Sequence, residues 1–333
     1  MLYKLLREKL HNVTEIPQSV IGELQQKKLF HIWVPKTYGG LGLRLEDGLS
    51  ELFNWSKIDG SLGWMLTLCA GANYFSRNLK PTIAKELFTH SKTCFGGSGM
   101  VGGTAEVLEN GNYLVNGFWH YATGAPYLSH FTLNAKIVKN GVALRDEEGN
   151  ESIKSFIVQK NQVEIIPNWK SMGMKATGTY SFKVENIEIK EDFTFVYNTF
   201  YTNDEIDKIP FGIFADLTLL VNYLGMASHF VEEAMSIKPD LNTTNFNLKI
   251  EEAMSQIKKY ANEIEFLLHN SDDIGEDKQG EIHDFGCELL KKLSHDLLDL
   301  YFQLGIKATH LSSPIHQVYC DFFTATQHAN FRF

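Results

Sequence analysis

The amino-acid sequence predicts an α+β fold made of three consecutive zones. Residues 1–92 place apolar side chains at helical spacing, residues 93–205 alternate apolar and polar residues as strands do, and residues 206–333 return to long helical stretches. A chain of 333 residues can bury a large core and form more than one domain. We therefore expect an N-terminal helical domain, a central antiparallel β domain and a C-terminal helical bundle with these boundaries.

The N-terminal zone combines amphipathic helices with one helix that is apolar on all sides. Residues 47–57 have helical periodicity, and residues 61–78 are almost wholly apolar, which predicts a buried helix. Pro81 suits the first turn of a further short helix. Before these helices, residues 31–43 form a glycine-rich stretch around Pro35, which predicts a loop.

Strand signals dominate the central zone. The segments 112–123 and 179–189 alternate in polarity, as half-buried strands do. The dipeptides Asn110-Gly111 and Asn140-Gly141 are the pairs preferred in tight hairpin turns. These features predict a sheet of antiparallel strands.

The C-terminal zone has the pattern of an antiparallel helical bundle. It contains three long periodic stretches joined by short links, one of which is acidic: 211–236, 248–270 and 280–310, with the acidic link at 271–280. Residues 211–235 and 289–304 carry more apolar surface than one helix face needs. We therefore expect a homodimer or homotetramer.

Composition excludes several classes of protein. The net charge is −9 and Lys/Arg clusters do not exceed pairs, so no basic stripe is present to bind nucleic acid. The best apolar stretch, residues 60–75, is too short to span a membrane, and the charged N-terminus does not resemble a signal peptide. Four scattered cysteines without a C-x-x-C pair favour reduced thiols, and hence a cytoplasmic protein.

Two common site motifs are weak in this sequence. Residues 97–102 match G-x-G-x-x-G, but a strand, a turn and another strand follow, where a dinucleotide site requires a helix. The twelve histidines include no H-E-x-x-H and no pair at helical i, i+4 spacing, so we expect no metal site. No G-x-S-x-G element is present to support hydrolase chemistry.

Two other segments each admit a structural and a functional interpretation. In the strand 116–125, Tyr121 packs against the core, or it covers a flavin ring while Thr123 offers a hydroxyl and a backbone N–H to the ring. In the last segment, Asp321 and His328 lie seven residues apart, which places them on one face of a helix. His328 is then a structural histidine near the chain end, or an acid–base residue.

Several segments, taken in order, resemble the acyl-CoA dehydrogenase superfamily. VPKTYGGLG is similar to its early Pro-x-x-Tyr-Gly-Gly-x-Gly loop, NGFWHYATGA to its Trp-containing strand, and WKSMGMKATGTYSFKV to its Gly-Met-(Arg/Lys)-x-Thr segment. The resemblance covers nearly the whole chain. It implies the superfamily's order of a helical domain, a β domain and a helical bundle.

Within that superfamily the chain is closer in motif to the oxygenase components of two-component flavin monooxygenases. Where dehydrogenases carry their late catalytic Glu, this sequence has Ala329, which cannot abstract a proton. The pattern Asp-x-x-Thr-Ala-x-Gln-His at 321–328 resembles the monooxygenase branch, as does the strand at 117–124. The branch usually has two arginines where Gln317 and Cys320 stand here.

The resemblance implies a cofactor, partners and roles for single residues. The cofactor is reduced FMN or FAD supplied by a separate flavin reductase, and the substrate is a small organic molecule. His328 takes the acid–base role, Thr123 meets flavin N5, and the flavin-binding residues are Gly97, Ser98, Thr104, Tyr121, Thr123 and Gly124. Two alternatives stay open: an acyl-CoA dehydrogenase-like oxidoreductase with its base elsewhere, and a non-catalytic member that serves as a binding module.

Overall fold

The computed structural model describes residues 2–270 and 274–331 and has an α+β architecture. Nine α-helices are described: α1 Leu2–Leu10, α2 Gln18–Gln26, α3 Leu45–Ile58, α4 Gly60–Tyr74, α5 Pro81–Phe88, α6 Phe211–Ile237, α7 Thr244–His269, α8 Glu276–Tyr301 and α9 Pro314–Ala325. Eight strands lie between α5 and α6: β1 Phe95–Val107, β2 Tyr113–Ala122, β3 His130–Lys139, β4 Val142–Ala143, β5 Ile153–Gln159, β6 Glu164–Ile166, β7 Tyr180–Ile189 and β8 Thr194–Phe195.

Helix α4 is the centre of the N-terminal zone, and its sequence explains why. Asp59 caps the helix, because its Oδ1 accepts a hydrogen bond from Leu62 N–H at 2.9 Å. The helix is buried on nearly all sides, as its apolar sequence predicts. It packs against β1, α6, α9 and the short turn at Lys175–Thr177. Elements from all three zones therefore meet on α4.

The sheet is mixed, which corrects the predicted antiparallel β domain. The strand order is β6-β7-β2-β1-β3-β5-β8, with β4 paired to β3. Strands β1 and β2 form an antiparallel hairpin, but β3 pairs with β1 in parallel. After β2 the chain crosses the end of β1 and returns on its other side, so β3 runs in the same direction as β1. Alternating polarity predicts strands but not which neighbour each strand takes.

Local turn signals are confirmed. Asn140 and Gly141 connect β3 to β4 with φ angles of +52° and +74°, and Lys139 pairs with Val142. This is the two-residue hairpin that Asn-Gly favours. Pro81 begins α5, also as predicted.

The C-terminal helices differ from the prediction in two respects. The third helix does not reach residue 310, because α8 ends at Tyr301 and a short 3-10 turn, Ile306–Thr309, follows before α9. Residues 271–273 of the predicted acidic link lie outside the described residues.

Helix α6 is long and apolar enough to cross a membrane by composition alone, but 78% of its most apolar window is buried inside the protein. Helix α3 packs closely along it: a Cβ placed on Gly225 would lie 2.5 Å from Ser56 Cβ. The apolar residues of α6 are thus covered within the chain, and this helix does not support the predicted association.

A buried arginine connects the N-terminal helices to the segment before α6. Arg77 is only 2% exposed. It donates to the Trp33 carbonyl at 2.9 Å, to Asp204 at 2.7 Å and to Asp207 at 2.8 Å. Two carboxylates and a carbonyl satisfy the buried guanidinium, so its charge is compensated.

Candidate functional site

The candidate site is centred on the end of β2, where the backbone leaves the sheet. Tyr121 has a φ of +65°, at an irregularity in the β2–β7 pairing. Such a conformation is uncommon for an aromatic residue and is typical of functional sites. Gly124 follows with a φ of +79°, and a Cβ there would lie 2.8 Å from the sulfur of Cys69 on α4. The chain therefore turns directly beneath α4.

Thr123 lies at one end of a chain of buried hydroxyls. Its Oγ1 lies 3.0 Å from Thr179 Oγ1, which lies 2.7 Å from Thr177 Oγ1. The Thr177 hydroxyl donates to the Met174 carbonyl at 2.8 Å. Thr177 and Thr179 belong to the Gly-Met-Lys-x-Thr segment seen in the sequence, but nothing in the sequence pattern pairs them with Thr123.

Two aromatic side chains stand beside this turn. The Tyr121 side chain is 62% exposed, and its ring centroid lies 6.4 Å from that of Trp169. The Trp169 indole donates to the Met174 carbonyl at 2.8 Å. Tyr121 does not pack into the core as the structural interpretation expected, and its exposed ring provides a flat apolar surface for a ligand.

The predicted cofactor residues of β1 fall into two groups. Gly97 and Ser98 lie near the end of the sheet that carries Thr123, since a Cβ on the adjacent Gly96 would lie 3.1 Å from the Thr123 carbonyl. Two bulges shorten β1 beyond Ser98: Ser98 pairs with Leu133 and Thr104 with Lys136, so Thr104 lies about 10 Å further along the sheet at ~3.3 Å per residue of β3. The structure brings Gly97 and Ser98, but not Thr104, towards Thr123.

Local packing explains both predicted glycines. A Cβ on Gly97 would lie 1.8 Å from the Thr132 carbonyl on β3, so close strand contact requires glycine there. The backbone N–H of Gly124 already donates to the Thr177 carbonyl at 2.8 Å. Gly124 shapes the turn and has no N–H left to donate to a ligand.

His328 does not share a helix face with Asp321, which corrects the prediction. Helix α9 ends at Ala325, and the His328 N–H bonds to the Ala325 carbonyl at 2.9 Å in a tighter turn. The His328 ring meets Trp64 edge-on, with centroids 5.4 Å apart. Asn330 N–H donates to the His328 Nδ1 at 3.4 Å.

Helix α4 contacts the segments that contain both residues predicted to act in the chemistry, Thr123 and His328. Trp64 contacts His328, while the next residue, Met65, and Cys69 one turn later lie beside Gly124. The Cys69 thiol also lies 3.8 Å from the Thr123 carbonyl, so Thr123 and His328, more than 200 residues apart in the sequence, both pack against one buried helix.

A second cluster, under α9, contains two buried carboxyl groups. Asp321 accepts from Met174 N–H at 2.5 Å through Oδ1, while its Oδ2 has no partner among the described residues. Burial raises the pKa of Asp321 well above its usual range, and the nearby Asp59 charge adds to this. Burial likewise raises the pKa of Asp59. Asp59 is not among the residues predicted from the sequence, although an Asp before an apolar helix is a recognisable N-cap.

The two positions without arginine lie beside these carboxyl groups. Gln317 donates to Asp59 Oδ2 at 2.9 Å. Gln317, Cys320 and Asp321 line a cavity of about 410 Å³ together with Lys175. An arginine at 317 would therefore lie next to the buried carboxyl groups, where Gln317 supplies a neutral donor and Lys175 acts on Asp321 from the same cavity.

The arginines of the described residues all have partners within the protein. Arg7 pairs with Glu232 at 2.7 Å, Arg44 pairs with Glu265, Arg77 is buried between two aspartates, and Arg145 donates to the Gly149 carbonyl at 2.5 Å. The residues around β2 therefore fit the ring of a flavin, through a hydroxyl and aromatic surfaces. They supply no uncommitted arginine for its phosphate.

Comparison with known proteins identifies similar sequences. No protein-family model matches the chain. The indole-3-acetate monooxygenase of Pseudomonas putida is 27% identical over 219 residues, which are 66% of this chain and 54% of that protein. The flavin-dependent monooxygenase oxygenase subunit HsaA of Mycobacterium tuberculosis is 20% identical over 65% of this chain and 55% of its own length. The chain thus spans about half the length of the curated relatives it matches.

Solved structures resemble the chain over nearly its whole length. The crystal structure of HsaA monooxygenase from M. tuberculosis has a TM-score of 0.87 at 18% identity and covers 99% of this chain and 91% of its own. XiaF from Streptomyces sp., in complex with FADH2 and glycerol, has a TM-score of 0.86 at 16% identity, covering 99% and 89%. The chain therefore has the fold of the oxygenase components of flavin-dependent monooxygenases.

Proposed function

We propose that this chain is the oxygenase component of a two-component flavin-dependent monooxygenase. It takes reduced FMN or FAD from a separate flavin reductase and acts with O2 on a small organic substrate. The observation that carries the proposal is the convergence on α4: Thr123, whose carbonyl lies 3.8 Å from the Cys69 sulfur, and His328, which contacts Trp64, both pack against this helix in a fold shared with such enzymes.

The residues of this site have separable tasks. When bound, a reduced flavin supplies the electrons that activate O2. The Thr123 hydroxyl would bind the ring at N5, and the exposed Tyr121 ring would cover one face and exclude water from it. His328 would transfer a proton to or from the substrate through Nε2, the ring nitrogen that Asn330 N–H does not contact.

The remaining predictions complete the proposal. Ser98 and Gly97 would border the flavin, and Thr104 would touch it only through an extended part of the cofactor. We also propose the three-domain division at 92/93 and 205/206, a cytoplasmic location, and association into a homodimer or homotetramer. Light scattering at micromolar concentration tests the last point, since a 37.8 kDa particle would contradict it.

Two alternative functions would give different experimental results. An acyl-CoA dehydrogenase-like enzyme would reduce its flavin anaerobically with an acyl-CoA thioester and no reductase, but Ala329 supplies no base at the usual position. A non-catalytic binding module would consume no O2 with reduced flavin. The missing arginines at 317 and 320 favour this last alternative, whereas Thr123 and His328 favour the monooxygenase.

The decisive experiment measures O2 consumption and H2O2 release with chemically reduced FMN and FAD. A monooxygenase component should bind the reduced flavin and alter the rate of its reaction with O2. Identical rates with and without the protein, together with no measurable binding of either flavin, would contradict the proposal.

His328→Ala tests the acid–base assignment. Turnover of the native substrate should fall by about 100-fold, the usual contribution of a positioned proton-transfer group, and H2O2 should be released in its place. Folding and flavin affinity should change little. His295→Ala, on the exposed face of α8, is the matched control and should leave turnover unchanged. Equal product yields for His328→Ala and wild type would assign His328 a structural role.

A further inference from the structure

The three buried threonines at the candidate site form a hydrogen-bonded chain with one direction. Thr123, Thr179 and Thr177 are each less than 9% exposed, and consecutive hydroxyl oxygens lie 3.0 and 2.7 Å apart. The chain ends at the carbonyl of Met174, 2.8 Å from Thr177 Oγ1. Every member is close enough to its neighbour for a hydrogen bond.

The terminal carbonyl determines which hydroxyl donates to which. A carbonyl oxygen only accepts, and each hydroxyl has one hydrogen. Thr177 uses its hydrogen on the Met174 carbonyl, so Thr179 must donate to Thr177. Thr123 must then donate to Thr179. With its single hydrogen committed, the Thr123 oxygen can only accept from any further partner.

Met174, whose carbonyl ends the chain of hydroxyls, forms further hydrogen bonds through both its carbonyl and its N–H. The Met174 carbonyl also accepts from the Trp169 indole at 2.8 Å, and Met174 N–H donates to Asp321 at 2.5 Å. The Thr177 backbone N–H donates to the same oxygen at 3.3 Å, so rotation of the Met174–Lys175 peptide would break three hydrogen bonds to this carbonyl. The direction of the hydroxyl chain is therefore a stable property of the fold.

We propose that Thr177 and Thr179 are positioning residues that hold the Thr123 hydroxyl as an acceptor and thereby select reduced over oxidised flavin. This inference rests on the proposed function, in which Thr123 meets N5. Reduced flavin carries a hydrogen on N5 and can donate to Thr123. Oxidised flavin presents a lone pair at N5, which the lone pair of Thr123 cannot satisfy.

The test compares affinities for the two redox forms. FMN and FAD are titrated in the oxidised form and, anaerobically, in the reduced form. Wild type should prefer the reduced form by about tenfold or more, the effect of one lost hydrogen bond. A tenfold preference also raises the two-electron midpoint potential of the bound flavin by about 30 mV, which potentiometry measures independently.

Variants of the chain should change the ratio of the two affinities. Thr179→Val and Thr177→Val free the Thr123 hydrogen, so oxidised flavin should bind about tenfold more tightly and the preference should vanish. Thr179→Ser and Thr177→Ser keep the hydroxyl and should keep the preference. Thr123→Val should weaken only the reduced form, by about tenfold. Thr218→Val, at a buried threonine that bonds within α6, is the matched control.

The outcomes separate this inference from the function on which it rests. If wild type binds neither redox form, the proposed function is wrong and the inference fails with it. If both forms bind and the Val variants keep the wild-type ratio, only the inference is overturned. Should one Val variant not fold, the other and the two Ser variants still decide, because each addresses a different link of the chain.

Discussion

Two buried polar clusters meet at Met174, and they are built in opposite ways. In the threonine chain, the hydrogens of Thr123, Thr179 and Thr177 all reach an acceptor, the last being the Met174 carbonyl. In the carboxyl cluster, Asp321 accepts from Met174 N–H with one oxygen, and its other oxygen has no partner among the described residues. One residue, Met174, thus connects a neutral, satisfied cluster to an acidic, unsatisfied one.

The difference shows what each cluster contributes. A fully hydrogen-bonded network of neutral groups is rigid and has a defined direction, as a site that holds a cofactor requires. Two buried carboxyl groups that form no ion pair among the described residues repel each other when ionised, and burial favours their protonated forms. Arg77, satisfied by Asp204 and Asp207, shows how the same fold compensates a buried charge elsewhere.

The greatest change in stability should follow a substitution at Gly173, the residue before Met174, where the two clusters meet. A Cβ on Gly173 would lie 2.1 Å from the backbone of Cys320 on α9, so Gly173→Ala must displace one of the two segments. We expect a loss of unfolding free energy of about 3 kcal/mol, measured by urea denaturation. Gly280→Ala on α8, where a Cβ has open space, should instead stabilise by about 1 kcal/mol. Equal stability of Gly173→Ala and wild type would show that the junction is loose.

Asp321→Asn tests the contrast between the two clusters by removing one carboxyl group from the acidic cluster. The pKa of Asp321 is raised in the folded state, so its contribution to stability is complete below its unfolded pKa and is lost as pH rises through the folded pKa. Asn keeps an acceptor for Met174 N–H and removes the charge. The variant should therefore be more stable than wild type by about 1–3 kcal/mol at pH 8, with the difference shrinking towards pH 4.

The control for this change is the same substitution at a compensated carboxylate. Asp207→Asn removes a charge that pairs with buried Arg77 at 2.8 Å, so it should destabilise the protein at neutral pH. Thermal unfolding of both variants from pH 4 to pH 8 measures the two effects. If Asp321→Asn also destabilises at every pH, the carboxyl cluster is not a source of strain.

The smallest effect concerns the turn that presents the threonine chain. Tyr121 has a φ of +65° and an exposed side chain, so Tyr121→Gly relieves backbone strain and loses little packing. Unfolding free energy should rise by up to about 1 kcal/mol after the entropy of glycine is counted, while flavin affinity should fall. Tyr201→Gly, at an exposed tyrosine without positive φ, should only destabilise. Loss of stability in Tyr121→Gly would show that the turn is not strained.

Sequence patterns were sufficient wherever the determinants are local. Asn140-Gly141 adopts the hairpin that its two left-handed residues favour, and α5 begins at Pro81. The candidate residues Thr123 and His328 could also be named from short motifs. Periodicity was less reliable at helix ends, since α9 stops at Ala325 and removes His328 from the face of Asp321.

Local sequence signals account for the main helices, strands and tight turns, because propensity, periodicity and turn chemistry act between near neighbours. The parallel pairing of β3 with β1 depends on tertiary packing. So do the hydrogen bond between Thr123 and Thr179, 56 residues apart, and the one between Gln317 and Asp59, 258 residues apart. Such pairings depend on how whole elements pack around α4. No spacing rule in the chain encodes them, because the free energy that selects them is shared among many distant contacts in one core.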